Sequence, residues 1–352
     1  MNHTRGMTFV RTMKALGVAK GDAVGAQAYL QGRAQDPVTR AATESLARMG
    51  AVAATGTGDI APPTPAAFDF AEFVRPMTIL GKLLGLRRVL ARVRSIVASA
   101  GGSAYWAGEA NPRPISRMTF EGETMEPLGV NAISVVTAEL LRSADPDAEP
   151  ILSRDLAAAA VAAMDSAFID PANAGDPGVK PAAITHGVGQ FVSSGSSLAQ
   201  IDADLDLMIN ALADAGSDLQ FATWVMAPRT AIYLARLRGT GGALAHPGMS
   251  AKGGTLVGLP AITSAHVPSV GSPYVSSITL LDPSQILLCD EGGAKLEVSM
   301  EGALQMEDAP GSGAQQLVSL WQTNSAALKM TRYVNWRACR SNMARVLVGV
   351  AY

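Results

Sequence analysis

Residues 103–141 read SAYWAGEANPRPISRMTFEGETMEPLGVNAISVVTAELL, and the rest of the chain is arranged around this stretch. Its three prolines remove backbone donors and fix φ, so much of it can be neither helix nor central strand. The β-prone run 89–97 precedes its prolines, and the β-prone run 130–137 follows them. We therefore predict a long excursion: one strand out, an irregular tip and one strand back. Loops beyond about 12–15 residues usually have a function, and this one suits contact with a neighbouring subunit.

The composition is that of an ordinary globular protein with room for two sub-domains. Of the 352 residues, 48% are hydrophobic and 16% are charged. The formal net charge of −2 gives no broad electrostatic reason to expect nucleic-acid binding. The N-terminus lacks the apolar run of a signal peptide, and no stretch of about 18 uncharged apolar residues occurs. We expect a soluble protein that is made in the cytosol.

Residues 1–70 are predicted to form an arm of short helices joined by linkers. Apolar spacing predicts helices over 7–16 and 23–31. A third helix has Asp36 as N-cap and Pro37 at its first position, and it is expected to end before Gly50. Residues 54–69 favour an extended linker because of their Gly, Thr and Pro content. Helices this short need the rest of the protein, or another subunit, to bury their apolar faces.

The strongest helix signal is the alanine-rich run 150–169, about 30 Å long, which we interpret as a central spine. Gly and Pro then break regular structure over 170–187. Further on, Ser196 or Ser197 is expected to cap a helix that closes at Gly216, and Pro228 to start another. The remaining sequence predicts strands over 221–226, 255–264, 276–281, 286–288 and 295–300, and one long paired stretch over 317–352.

No catalytic, metal or cofactor constellation is found in the sequence. The four histidines are scattered, Cys289 and Cys339 have apolar neighbours, and the glycine-rich segments at Gly187 and Gly239 are not placed as a dinucleotide fingerprint must be. Glu109 beside Trp106 has no second carboxylate to work with, so catalysis is unsupported and no cofactor is expected.

A basic cluster lies just before the excursion, at Arg87, Arg88, Arg92 and Arg94. The alternation over 89–94 fits a strand with one wet face. Nucleic-acid binding is one use for such a cluster, but no aromatic stacking partners are interleaved with it. Ion pairing between subunits, or plain solvation, is therefore the favoured interpretation.

Taken in order, these segments resemble the major capsid proteins of tailed phages with the Hong Kong 97 fold. The matching motifs are YWAGE at 105–109, PIS at 114–116, Phe120, Leu128, VVTAELL at 135–141, ILSRDLAAAAVAAMDSAFID at 151–170, TWVMAPRTAIYLARL at 223–237, GGTLVGLPAITSAHVP at 253–268 and KLEVSMEG at 295–302. The resemblance covers about residues 70–352, and its specificity lies in the order and spacing of the motifs.

The resemblance implies an α+β subunit with an N-terminal arm, an extended hairpin called the E-loop, a peripheral (P) domain that carries the spine helix, and an axial (A) domain with a central sheet. The implied divisions are 1–70 for the arm, 71–98 and 127–185 for the P-domain, 99–126 for the E-loop, 186–288 for the A-domain, 289–337 for P-domain strands and 338–352 for an A-domain return strand.

The same resemblance implies a non-enzymatic protein that assembles into hexamers and pentamers of an icosahedral shell around double-stranded DNA. Implied partners are other copies of itself, DNA without sequence specificity, a portal, a scaffold or protease, and decoration proteins; a membrane is not among them. The implied location is the virion, after synthesis in the bacterial cytoplasm. Residues expected at intersubunit contacts are Tyr105, Trp106, Glu109, Arg113, Arg117, Arg87, Arg88, Arg92 and Arg94.

Two departures from the family pattern have consequences. The type member joins subunits through an E-loop lysine, but here no lysine occurs between Lys82 and Lys180, and Arg113 stands near the expected place. Arginine does not form that isopeptide bond, so we expect no such crosslink. The segment before the E-loop is also short, which leads us to expect either no cleaved scaffold segment or a separate scaffolding protein.

Two other interpretations remain open at this stage. The same fold serves encapsulin-like compartments that hold a cargo enzyme, although those shell proteins generally lack so long an N-terminal arm. A soluble enzyme of unrecognised family is the alternative from a different class, and it would stay monomeric at high concentration.

Overall fold

The computed structural model describes residues 7–20, 22–33, 36–55, 65–100, 106, 119–142, 148–239, 241–271, 274–305, 317–340 and 342–352. The helices within these ranges are α1 (Met7–Val18), α2 (Ala23–Gln31), α3 (Pro37–Thr55), α4 (Pro65–Val74), α5 (Ile79–Lys82), α6 (Ala138–Arg142), α7 (Ala148–Ile169), α8 (Leu198–Asp214) and α9 (Pro228–Arg236). Two short 3-10 turns occur at Arg75–Met77 and Pro283–Gln285.

The strands within the same ranges are β1 (Arg87–Val89), β2 (Arg94–Ala100), β3 (Thr119–Thr124), β4 (Leu128–Thr137), β5 (Gln190–Val192), β6 (Thr223–Met226), β7 (Met249–Ser250), β8 (Gly253–Leu256), β9 (Leu259–Thr263), β10 (Ser269–Val270), β11 (Val275–Leu281), β12 (Ile286–Ser299), β13 (Ala303–Gln305), β14 (Leu317–Ser319), β15 (Ser325–Ala338) and β16 (Ala344–Val350).

The chain divides into two compact units, each built from three separate segments. The first unit comprises Met1–Met77, Gly129–Ala163 and Gly292–Tyr333, and the second comprises Thr78–Leu128, Met164–Glu291 and Val334–Tyr352. Helix α7 and strands β12 and β15 therefore contribute residues to both units. The finer division into arm, P-domain, A-domain and E-loop stays a prediction.

In the first unit, the N-terminal helices bury their apolar faces against one another. Ala15 and Leu16 of α1, Ala26 and Leu30 of α2, and Ala42 and Leu46 of α3 form one buried cluster, and the rings of Phe9 and Phe70 stack at 4.1 Å. Of the two sources of burial that the sequence left open, the rest of the chain or another subunit, the chain itself supplies these contacts. Four amphipathic helices thus bury apolar side chains against one another.

The starts of these helices follow their capping residues, but their ends were less predictable. The Asp36 carboxylate accepts a hydrogen bond from the Thr39 amide at 2.7 Å, which confirms the predicted cap of α3. The helix continues through Gly50 to Thr55, because a glycine with α-helical neighbours weakens a helix without ending it. Pro65 starts α4 within the segment that we expected to be an extended linker, as proline suits a first turn.

A four-stranded sheet has the order β1-β12-β15-β4, with β1 parallel to β12. Two predictions in this region are wrong. The segments 286–288 and 295–300 belong to one strand, β12, since Gly292 and Gly293 do not interrupt it. The strand expected over 89–97 is broken at residues 90–93, where Arg92 adopts φ +59° and the chain turns.

The second unit contains an eight-stranded sheet in the order β5-β16-β11-β6-β9-β8-β7, with β10 pairing with β11. Helices α8 and α9 contribute Ile201, Leu205, Met208 and Leu234 to a core that also buries Trp224. The predicted cap at Ser197 is confirmed by a capping box with Gln200. The strand expected over 255–264 is instead a hairpin of β8 and β9, because Val257 and Gly258 both have positive φ. The stretch 317–352, which was predicted as one long paired stretch, is divided into the three strands β14, β15 and β16.

Helix α7 confirms the helix that was predicted over 150–169, and it places a carboxyl group in the interior of the second unit. Asp165 is 1% exposed; its Oδ1 accepts the Ile79 amide at 2.8 Å and its Oδ2 accepts the Ser264 hydroxyl at 2.7 Å. Burial raises the pKa of this carboxyl, although the two hydrogen bonds and the nearby His266 and Lys82 oppose the shift. Asp165 thus ties α7 to the start of α5 and to the segment after β9.

Candidate intersubunit surface

The predicted excursion is present as a two-stranded hairpin of β2 and β3. The two strands pair antiparallel from Arg94↔Thr124 to Ala100↔Thr119, with a bulge between Ala98 and Ala100. The return strand is therefore Thr119–Thr124 and not the expected 130–137, which lies in β4 beside β15. The prolines explain the difference, since Pro127 ends the returning strand before β4 begins.

The chain enters this hairpin through a tight turn at residues 90–93, and this turn is hydrogen-bonded to the residue that follows β3. The Arg92 amide donates to the Met125 carbonyl at 3.0 Å, and its Nε lies 3.4 Å from Glu126 Oε2. Both of these side chains are mostly exposed, so their ion pair contributes little by itself. The left-handed φ of Arg92, +59°, is unusual for a residue with a side chain.

The four arginines expected at intersubunit contacts all lie on the surface here. Arg87, Arg88, Arg92 and Arg94 are each exposed. Arg94 lies over Gly122 on the facing strand, where a Cβ atom would overlap the guanidinium. Arg87 lies close enough to Cys339 to influence its thiol electrostatically. Four arginines thus lie at the hairpin base, with Glu126 paired to Arg92 and with Asp290 and Glu291 just after Cys289, which pairs with Val89.

Three large apolar side chains accompany these arginines. Leu84 is 71% exposed, Leu90 74% and Val93 50%. We call this group, with the four arginines, the hairpin-base surface. A mixture of exposed aliphatic side chains and arginine is typical of a surface that another protein covers.

The remaining predicted contact residues are placed as follows. Trp106 is fully exposed. Tyr105, Glu109, Arg113 and Arg117 lie outside the described residues, so their predicted contacts stay predictions.

Sequence reasoning missed three features of the described chain. Trp321, between β14 and β15, is 79% exposed. A groove of about 550 Å³ is lined by residues 124–126, 128, 174–178, 180–184, 186–187 and 335–338. The third feature is buried Asp165. The exposure of Trp321 could have been predicted, because it stands among Ser, Gln, Thr and Asn in the sequence. The groove and the burial of Asp165 depend on long-range packing, which no local sequence pattern reveals.

No three histidine, cysteine or acidic side chains within the described ranges come together as a metal site. Burial raises the pKa of the Cys289 thiol, and burial also outweighs Arg87 and Arg340 to raise that of Cys339. Neither thiol is therefore an activated nucleophile. Of the described helices, none is long and apolar enough to cross a membrane.

Comparison with known proteins decides the family. Residues 69–332 match the phage capsid family. The chain belongs to that family. A capsid polyprotein of Pseudomonas phage PAJU2 is 38% identical over 364 residues, which cover 98% of this chain and 54% of the polyprotein. The chain thus spans about half the length of that relative.

Solved structures confirm the predicted α+β fold of the Hong Kong 97 type. A structure from Gordonia phage Cozz aligns with a TM-score of 0.54 at 17% identity, over 75% of this chain and 84% of that chain. The capsid of a native GTA particle, computed with C5 symmetry, aligns with a TM-score of 0.50 at 15% identity, over 80% of this chain and 90% of that chain. The family match and the 38% identical capsid polyprotein favour a phage capsid protein over an encapsulin-like compartment.

Proposed function

We propose that this protein is a major capsid subunit that assembles into hexamers and pentamers of an icosahedral shell around double-stranded DNA. The observation that carries the proposal is the hairpin-base surface, which exposes aliphatic and arginine side chains on a chain of the phage capsid family. Within the shell the β2–β3 hairpin acts as the E-loop, and its tip lies on a neighbouring subunit.

The proposed contact is physically reasonable because its parts resemble a protein interface. Burying a leucine side chain stabilises an assembly by about 1.5–3 kcal/mol, and Leu84 and Leu90 are both available. Arginine is enriched at interfaces because its planar group pairs with carboxylates in two places. Shell closure repeats each contact many times, so individually weak contacts give a stable particle.

The shell contents and the accessory partners belong to the same proposal. The formal net charge of −2 gives no broad electrostatic attraction to DNA, so the proposal is that the shell encloses DNA without sequence recognition. A portal, a scaffold or protease and decoration proteins are the further partners that a tailed-phage head requires. The mature protein is then located in the virion, after synthesis in the host cytoplasm.

Imaging of the purified protein tests this function directly. We expect closed shells of uniform diameter in negative-stain images, with nucleic acid as their content when they are isolated from phage-producing cells. A compact monomer that forms no particles at high concentration would contradict the proposal. Shells filled with one cellular enzyme would instead support an encapsulin-like compartment.

Deletion of Gly108–Met118 tests the role of the hairpin. We expect the shortened chain to stay soluble, because the cores of both units lie elsewhere, and to form no shells. Gel filtration measures the first property and electron microscopy the second. Normal particles from the deletion variant would show that the hairpin tip is not an intersubunit contact.

A further inference from the structure

Trp321 is an exposed aromatic side chain in the first unit that no part of the described chain covers. Trp224 and Trp336 are buried, whereas Trp321 is 79% exposed. Leu317, which precedes it in the same segment, is 71% exposed. Tryptophan is the residue type most enriched at the energetic centres of protein interfaces. The exposed indole of Trp321 therefore indicates a binding surface.

The turn that carries Trp321 is held in one conformation. The buried Leu320 donates its amide to Gly302 O and accepts the Ser325 amide, both at 2.9 Å. Asn324 adopts φ +48°, and its carbonyl accepts the Ala138 amide at 2.9 Å. Because the backbone on both sides of Trp321 is fixed, docking of the indole orders little of the chain and retains most of its contact energy.

The charge of this turn favours another copy of the same chain as the partner. Residues 317–325 read LVSLWQTNS and carry no charged side chain. Such a surface offers no attraction to a strongly acidic or basic partner, and no like-charge repulsion prevents identical chains from meeting there.

A receiving site of suitable size and chemistry lies in the second unit. The groove of about 550 Å³ has Met125, Pro177, Pro181 and Trp336 among its walls, with Lys180 also lining it. Pockets of roughly 300–1,000 Å³ hold drug-sized molecules, and an indole ring is smaller than these, so a groove of about 550 Å³ has room for one. Proline and methionine pack well on an aromatic face, and a lysine ammonium above it adds a cation–π interaction.

The walls of the groove are fixed before any ligand arrives. Trp336 Nε1 donates to Ala182 O at 2.9 Å, and Asn173 Nδ2 donates to Pro181 O at 3.0 Å. The Asp176 amide donates to Lys180 O at 2.8 Å, which closes the turn that carries Pro177. Groove and indole are thus both preformed.

We propose that Trp321 of one subunit occupies the groove of a neighbouring subunit. The inference rests on the proposed shell function and names one contact within it. The indole and the groove are different surfaces, so every copy offers both and the contact is heterologous, which is the kind of interface that builds rings and closed shells.

Photo-crosslinking from position 321 locates the partner. Full-length Trp321→p-benzoylphenylalanine chains, labelled heavy or light and mixed before assembly, are irradiated and analysed by mass spectrometry. We expect heavy–light crosslinks from 321 to residues 124–128, 174–187 or 335–338. Crosslinks to another part of a second copy, or none between copies within intact shells, would overturn the inference. Failure of the parent chain to form shells would instead overturn the proposed function, and this contact with it.

A double-mutant cycle measures the contact without a crosslinker. We expect Trp321→Ala to raise the subunit concentration needed for assembly by at least about tenfold. Lys180→Ala should weaken assembly of the parent severalfold, and should have no further effect on the Trp321→Ala chain. Ile151→Ala is the matched control, since Ile151 is also largely exposed in the first unit but lies on α7. Additive effects of the two substitutions, or an equal effect in the control, would contradict the proposed pairing.

Discussion

At the scale of single residues, the buried carboxyl of Asp165 holds three segments of the second unit together. Its carboxyl accepts the first amide of α5 and the Ser264 hydroxyl while it lies out of water. We predict that Asp165→Leu destabilises unassembled subunits by about 2–4 kcal/mol, because two buried donors then lose their acceptor. Asp165→Asn, which keeps an acceptor oxygen, should cost much less. Denaturant unfolding compares the three chains, and equal losses for both variants would contradict this role.

The pH dependence of the same residue has a definite sign. Burial raises its pKa in the folded state above the ordinary 3.8, so the folded chain holds the proton more tightly than the unfolded chain. This site therefore favours folding at low pH, and that advantage is lost as pH rises from about 4 through the raised folded pKa. Asp165→Asn should remove this component of the stability profile. An unchanged difference between parent and variant across that range would refute the assignment.

At the scale of secondary-structure elements, the start of α3 depends on one ionised cap. A hydrogen bond from Thr39 and the adjacent Arg11 lower the pKa of Asp36 to about 2, against the opposing effect of partial burial. The capping contribution is therefore present above about pH 4 and is lost as pH falls towards 2. We predict that Asp36→Ala costs about 1 kcal/mol at neutral pH.

The measurement for this cap is the thermal unfolding of unassembled subunits, followed by circular dichroism at pH 7 and near pH 2. The loss in Asp36→Ala should shrink at the lower pH, because the parent then loses the ionised cap as well. Asp22→Ala is the matched control, since Asp22 caps α2 through the amides of Val24 and Gly25. A deficit for Asp36→Ala that does not change with pH would mean that the ionised cap is not what holds α3.

The elements also show how far the sequence predicts the structure. Helix starts were predictable at Asp36, Ser197 and Pro228 because capping is a local interaction. Strand continuity was not, since β12 passes through two glycines, of which Gly292 has a φ of +72° and is not extended. The hairpin was predicted as an excursion, but its return strand was misplaced, because pairing of β2 with β3 depends on contacts distant in sequence. In the hairpin-base surface, the arginines were predicted from their charge. The exposure of Leu84 and Leu90 in that surface, and of Trp321 in the first unit, could be learned only from the structure.

At the scale of the whole molecule, the absence of lysine between Lys82 and Lys180 determines how subunits can be joined. An isopeptide bond of the kind that the family's type member forms needs a lysine on the E-loop, and this hairpin has none. The thiols of Cys289 and Cys339 have raised pKa values and are poor candidates for disulfide exchange. Shells should therefore be held by packing and ion pairs alone. We predict that boiling in denaturant, with or without reductant, yields only single chains of 36.3 kDa on a gel. A ladder that persists with reductant would reveal a covalent link through other residues, and one that reductant abolishes would point to the cysteines.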